Sequence, residues 1–265
     1  MIESMKDAFS LKGRTALVTG GSKGIGKGTA IALAQSGADV AIMGRDQKAL
    51  EDAISELVTS GTRCRYYVGD VTKQMEAKEV VRRVAEDFGS LDILVNCAGI
   101  ATPFDAMCDD DDLSGWYQVI DVDLNGTFLM CHYAGLQMRK QGFGRIINIT
   151  SNSSRIVNIP QKSSSYNAAK AAADRLTKCL AHEWAGYGIR VNAVAPGYTE
   201  TGLVTGVKDE GQTEGWTAYW MSQTPTGRFG RPIEIGAAVV FLASEAAEQI
   251  TGAVLTIDGG YMLAK

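Results

Sequence analysis

Short runs of β-branched and aliphatic residues alternate along the chain with longer segments whose apolar positions recur every three or four residues. RTALVTG (14–20) predicts a strand, and GIGKGTAIALAQSG (24–37) a helix that Gly37 stops. DVAIMG (39–44) predicts a second strand and QKALEDAISELV (47–58) the next helix. RCRYYVGD (63–70) follows as a third strand, then TKQMEAKEVVRRVAEDFG (72–89) as a helix with Thr72 at its N-cap. LDILVNCAG (91–99) is the fourth strand, and a long helix is predicted over much of 113–140. GRIINITS (144–151), IRVNAVAPG (189–197) and AVLTIDGG (253–260) complete the strands, with helices over 166–187 and 232–244. The segment 198–225 follows neither period.

Strands that are apolar throughout are buried on both faces, and intervening helices force parallel crossovers. The prediction is one α/β domain over 1–265, a doubly wound Rossmann-type parallel sheet of about seven strands with helices on both faces. Such a sheet gathers the C-terminal ends of its strands along one edge, where ligands bind.

Composition narrows the partners. The 265 residues are 45% hydrophobic and 21% charged, ordinary for a soluble globular chain. A net charge of −4 gives no footprint for nucleic acid. MIESMKDAFSLKGR has no apolar run of a secretory leader, and no stretch reaches the roughly 18 apolar residues of a membrane span. Cys64, Cys97, Cys108, Cys131 and Cys179 are scattered and odd in number, the pattern of reduced thiols in a cytoplasmic protein. His132 and His182 are too few for a histidine metal site, and CDDDDLSGW (108–116) reads as a solvated loop and helix start. No metal is expected.

TGGSKGIG (19–26) joins the first strand to the first long helix. Gly20 permits a tight turn, Gly24 a close backbone approach and Gly26 close helix packing, while N–H groups at the helix start attract phosphate. A bare tight turn is the plain alternative; the position after the first strand favours a dinucleotide. At the end of the second strand, MGRDQ places Gly44 where an NAD site carries an acid, and Arg45 follows. Arg45 and Lys23 suit the 2′-phosphate of NADP. Asp46 is the counter-argument, since a small backbone shift would let it serve NAD.

Tyr166 and Lys170, in YNAAK, lie one helical turn apart on one face. Tyrosine has an ordinary pKa of about 10, too high for ready proton exchange at neutral pH. A neighbouring ammonium and a cationic nicotinamide are expected to lower it. An amphipathic helix start is the unremarkable alternative.

TGGSKGIG, NCAG (96–99), YNAAK (166–170) and PGYTET (196–201) together resemble the short-chain dehydrogenase/reductase family, over essentially the whole chain. The resemblance implies that Ser22, Lys23, Ile25 and the loop glycines hold the cofactor with Arg45. It places Asp70 at adenine, and Val71, Ala98 and Gly99 along the cofactor. Asn96 is to steady the sheet and ribose. Pro196, Gly197 and Thr199 belong to the later cofactor segment, with Thr201 near the nicotinamide end, and Tyr166 and Lys170 also contact the cofactor.

The family's catalytic serine ends the fifth strand, which selects Ser151, whereas counting back along the loop from Tyr166 selects Ser153. Strand geometry fixes a position better than loop length, so Ser151 is expected to hold the substrate oxygen and Ser153 to line the pocket. Ser154, Ser163, Ser164 and Ser165 read as turn or cap residues. SNS (151–153) followed by IVNIPQ (156–161) resembles the polyol-dehydrogenase and ketose-reductase branch. That likeness makes Ser153, Asn158 and Gln161 substrate-pocket residues. The alternative for Asn158 is satisfaction of loop backbone groups. Trp216, Tyr219, Trp220 and Met221 suit either a lid over the substrate, to which Trp216 would contribute, or packing.

The family's helix asparagine is missing. DLNGTF (123–128) puts Asp123 there, and Asn125, two residues on, is rotated by about 200°. Asp123 is expected to hold water through its carbonyl or carboxylate and to reinforce the charge of Lys170; the alternative is a site that needs no residue in this role. The implied activity is NADP(H)-dependent interconversion of a secondary alcohol and a ketone, a polyol–ketose pair, in a homotetramer. Rivals are a 3-oxoacyl-thioester or general carbonyl reductase and a non-catalytic dinucleotide-binding regulator.

Overall fold

The seven apolar runs become seven strands of one sheet: β1 (Thr15–Thr19), β2 (Asp39–Gly44), β3 (Cys64–Val68), β4 (Ile93–Asn96), β5 (Gly144–Ile149), β6 (Ile189–Pro196) and β7 (Val254–Ile257). The computed structural model describes residues 4–58, 61–107, 112–202 and 214–264. Strand order is β3-β2-β1-β4-β5-β6-β7, and every neighbouring pair is parallel. Helices α1 (Met5–Ala8), α2 (Gly24–Gln35), α3 (Gln47–Leu57), α4 (Gln74–Phe88), α5 (Ser114–Ile120), α6 (Thr127–Gln141), α7 (Ser164–Trp184), α8 (Glu214–Ser222) and α9 (Pro232–Ala243) run between and around them.

Alternation along each strand divides the core into two layers. Val18, Ile42, Val95, Ile147 and Val194 pack with α2, α3 and α9 on one face. Their neighbours Leu17, Met43, Leu94, Ile146 and Val191 pack with α4, α6 and α7 on the other. Both faces are therefore apolar, which is why these strands read as continuous apolar runs. The chain winds outward through β1, β2 and β3, then returns to place β4 on the other side of β1. That reversal opens a crevice at the C-terminal ends of β1 and β4. No helix among the described residues is long and apolar enough to cross a membrane.

Two local expectations are corrected. Thr72 does not cap α4: its backbone N and its Oγ1 both donate to Asp70 Oδ1 at 2.9 Å, so the chain makes a side-chain turn first and the helix starts at Gln74. The long middle helix is not uniform either. Between α5 and α6, Asp121–Gly126 widens into a π-helical turn, a feature concentrated at functional sites.

Candidate active site

The glycine loop is built against the end of β4. Gly20 has φ +64°, and a side chain there would come within 3.0 Å of the Ala98 backbone. Thr19 Oγ1 accepts from Cys97 N at 3.0 Å and Ala98 N at 3.1 Å, stitching β1 to the segment after β4. A Cβ on Gly26 would sit 2.2 Å from Gly20 O, so the loop and first turn of α2 close tightly. That turn carries no acidic residue. Ser22, Lys23, Gly24, Thr201 and Gly202 line one groove, and Thr201 Cγ2 is 3.3 Å from the place of a Gly24 side chain. Thr201 thus stands beside the glycine loop. Ile25 packs against the core, and buried Val71 lies under Gly126.

At the end of β2, Arg45 is exposed and its Nη1 lies 4.0 Å from Asp70 Oδ2. Asp46 is engaged elsewhere, since its Oδ1 accepts from Ala49 N at 3.1 Å and caps α3. That bond satisfies one of the orphan N–H groups at the start of α3 with one of the two carboxylate oxygens.

The predicted chemical residues converge at the end of β5. Ser151 follows the strand, and its hydroxyl draws the pKa of Tyr166, near the start of α7, downward. Ser153 is one hydroxyl removed, with its Oγ 2.9 Å from Ser151 Oγ and its N donating to Ser151 at 3.1 Å. Ser154 Oγ lies 2.7 Å from Ser151 O and 2.6 Å from Asp174 Oδ2, clamping the loop to α7. Ser163 flanks α7 without a side-chain capping bond, Ser164 opens the helix, and Ser165 is buried beneath it.

Lys170 is buried, 5% exposed, and faces a fully enclosed Asp123. Their Nζ–Oδ1 distance is 2.9 Å, and Lys170 also donates to Ile149 O at 3.2 Å. Asp123 Oδ2 accepts from Ile100 N at 3.0 Å, while its backbone carbonyl accepts from Thr127 Oγ1 at 2.9 Å. The carboxylate, rather than the engaged carbonyl, is therefore the part of Asp123 that meets Lys170. Asn125 bonds Asp121 on the exposed side and takes no part.

Burial is the largest single influence and disfavours the Lys170 ammonium, but Asp123 and Tyr166, with Cys97, together offset it and hold the lysine above its ordinary range. Tyr166 departs from expectation. Burial pushes its pKa up; Lys170 and the Ser151 hydroxyl pull it down, and Asp123 works against them. The net direction is upward in the protein alone, because losing water around the phenolate costs more than one paired ammonium returns. The neighbouring Cys97 thiol is pushed up to about 12, chiefly by burial, which leaves it protonated.

Gly99 leaves room for this pair. A Cβ there would lie 2.7 Å from Asp123 Oδ1 and 3.4 Å from Lys170 Nζ. Gly99→Ala is expected to cost about 1–3 kcal/mol of stability by overpacking and to cut turnover, read by thermal melts and initial rates. A variant as stable and active as the parent would contradict this crowding.

Asn96 anchors the crevice from below, with Nδ2 2.9 Å from Asn148 Oδ1 and 3.1 Å from Cys131 Sγ. Its Oδ1 is buried without a partner among the described residues. Pro196 and Thr199 are buried at the end of β6, and Gly197 follows between them.

On the substrate side, Asn158 Nδ2 and Gln161 Nε2 donate to Tyr198 Oη at 3.3 and 3.1 Å. Tyr198 stacks on Trp220 with centroids 4.3 Å apart, and Trp216 meets Trp220 at 6.1 Å. Trp220 is buried, Trp216 partly so, and Met221 exposed, so α8 packs into the fold through Trp220. Tyr198 lies inside PGYTET, yet the sequence does not single it out; its partners come from three distant segments. Within the proposed lid, 203–213 lie outside the described residues, as do Cys108 and 109–111 of the acidic run.

Comparison with known proteins agrees with this geometry. A family model described as "Enoyl-(Acyl carrier protein) reductase" matches residues 20–262. Sorbose reductase SOU1 of Candida albicans is 41% identical over 96% of this chain and 89% of its own length. Galactitol 2-dehydrogenase (L-tagatose-forming) of Cereibacter sphaeroides is 43% identical over 97% of this chain and 98% of its own. A crystal structure of a gluconate 5-dehydrogenase from Burkholderia cenocepacia, in complex with NADP and tartrate, superposes with a TM-score of 0.91 at 33% identity, covering 99% of this chain and 100% of that one. With its sheet order, glycine loop and Ser151–Tyr166–Lys170 cluster, the chain belongs to the short-chain dehydrogenase/reductase family.

Proposed function

We propose that this chain is an NADP(H)-dependent oxidoreductase that interconverts a secondary alcohol and a ketone of a polyol–ketose pair. The observation that carries the reading is the buried Lys170–Asp123 pair, with the Lys170 ammonium 5.4 Å from the centre of the Tyr166 ring. The residues fit a dinucleotide: the loop has room only for backbone at Gly20, and the orphan Asn96 Oδ1 is an acceptor without a donor among the described residues. When bound, the dinucleotide supplies or takes the hydride. In reduction, the Tyr166 Oη proton goes to the substrate oxygen while Ser151 Oγ holds that oxygen by hydrogen bonding. Lys170 sits beside the phenol, its Nζ 5.4 Å from the ring centroid, and stabilises the phenolate left behind. Asp123 keeps that lysine charged. The sorbose and galactitol names of the relatives support the polyol–ketose class.

NADP over NAD rests on Arg45 and Lys23, and on the engagement of Asp46 with α3. Arg45→Ala is expected to raise the KM for NADPH about tenfold or more, as loss of a charge-assisted contact does, with NADH little changed. Equal effects on both cofactors would remove Arg45 from this role. The exposed apolar side chains Tyr117, Phe128 and Leu136 on α5 and α6 support a homotetrameric contact along those helices.

The deciding experiment is a screen of NADPH and NADH oxidation with ketoses, simple ketones and 3-oxoacyl thioesters, and of NADP reduction with polyols. Turnover of thioesters without any ketose or polyol activity would replace the substrate class with the acyl-thioester reading. Tight dinucleotide binding with no turnover of any member would favour the regulator.

A further inference from the structure

Of the three carboxamides between Ser151 and Tyr166, Asn158 and Gln161 share one hydrogen-bond partner. Their nitrogens, Asn158 Nδ2 and Gln161 Nε2, both turn to Tyr198 Oη. Their oxygens, Asn158 Oδ1 and Gln161 Oε1, are buried and meet no donor among the described residues. A buried acceptor that water does not reach is unfavourable unless something else supplies a donor.

The phenol that sets this orientation is itself held firmly. Its ring stacks on Trp220 at 4.3 Å and 12°, meets Tyr261 edge-on at 5.3 Å, and leans on Phe229 at 6.0 Å. Trp220 Nε1 donates to Ile159 O at 2.9 Å, so α8 is fastened to the same loop. A phenol oxygen that gathers amide N–H groups turns the carbonyl end of each amide away from itself. The direction of two acceptors is thus fixed by one side chain that need not touch a ligand.

We propose that Tyr198 is a positioning residue that sets specificity, presenting the Asn158 and Gln161 carbonyl oxygens to hydroxyl groups on carbons adjoining the reacting one. The inference rests on the polyol–ketose reading of the same site. Hydroxylated carbons carry O–H donors that complete both acceptors, and α8 is fastened through Trp220 to the loop that bears them. A ketone with a single oxygen brings no such donor and leaves the two acceptors unmatched. A site built to bond hydroxyls discriminates strongly against analogues that lack them.

The test compares the parent with Tyr198→Phe and Gln161→Ala, using NADPH with a ketose and with a single-oxygen ketone of similar carbon number. Tyr198→Phe keeps the ring stack and loses only the hydroxyl; Gln161→Ala removes one presented oxygen and leaves Tyr198 in place. Both variants are expected to raise the KM for the ketose about tenfold and to lower kcat/KM at least fivefold more for the ketose than for the simple ketone. Equal losses on both substrates, or no loss on the ketose, overturn the role of Tyr198. A parent enzyme that reduces simple ketones or thioesters and no ketose overturns the polyol reading, and this inference with it. A parent active on ketoses whose folded variants lose both substrates equally overturns the inference alone.

Discussion

Tyr166→Phe is expected to lower kcat by about 10³-fold while leaving NADPH binding within about twofold. Phenylalanine keeps the ring beside Lys170, whose Nζ lies 5.4 Å from its centroid, and deletes only the proton-carrying oxygen. The Ser151 hydroxyl stays tied to Ser153 at 2.9 Å, so the strand end keeps its shape. Burial raises the Tyr166 pKa, so the phenol is protonated through the neutral range and the parent enters reduction with its proton in place. Single-turnover absorbance at the nicotinamide band measures the loss, and fluorescence titration measures binding. A variant retaining a tenth of parental turnover would mean that another group delivers the proton.

Asp123→Ala attacks the same site from behind. Removing one member of a buried ion pair leaves the other uncompensated, at a cost of about 3–5 kcal/mol. Lys170 is 5% exposed and Asp123 fully enclosed, which places this pair in that class. The pH dependence follows from the direction of the shift. The folded-state pKa of Lys170 is raised, so the pair's stabilisation is complete below the lysine's ordinary value and is lost as pH climbs through the raised one. The melting-temperature gap between parent and variant is therefore expected to be widest near neutrality and to narrow in strongly alkaline buffer. Without its partner the lysine is governed by burial, which drives it toward the neutral form, so turnover falls as well. Asp123→Asn keeps the shape and an acceptor for Ile100 N, 3.0 Å from Oδ2 in the parent, and separates loss of charge from loss of volume. A gap that stays constant with pH would show that Asp123 acts through packing alone.

Much of this is legible in the sequence, for reasons that differ by element. β1, β4 and β5 are buried at every position, so their apolar runs announce them, whereas the edge strand β3 exposes Arg65 and Val68 and is marked by its aromatic pair and bounding turns. Ser151 can be chosen over Ser153 because a strand end fixes geometry that a loop of variable length does not. The π-helical turn at Asp121–Gly126 leaves no mark, since a widened turn is made by backbone hydrogen bonding and no residue type encodes it. Thr72 misleads because Asp70 competes for its N–H, a local contest that composition does not decide. The upward shift of Tyr166 is illegible for a deeper reason: desolvation depends on everything packed around the phenol, and the turn shared with Lys170 reports only one neighbour. Tyr198 carries no signal of its own because its meaning lies in contacts with residues 158, 161, 220 and 261.

The seam between β1 and β4 has a consequence for how such a molecule diversifies. Arg45 and the capped α3 belong to the half wound outward through β2 and β3, while Ser151, Tyr166 and Tyr198 follow β5 and β6 on the other side. The halves meet at four register pairs, Ala16 with Ile93 through Thr19 with Asn96, at the Thr19 hydroxyl that takes two N–H groups beyond β4, and where Gly28 of α2 lies against Pro232 of α9. On the function proposed above, Arg45, expected to choose the cofactor, and Tyr198, expected to shape substrate choice, lie on opposite sides of this join. Substitutions at the two are expected to change cofactor and substrate preference independently.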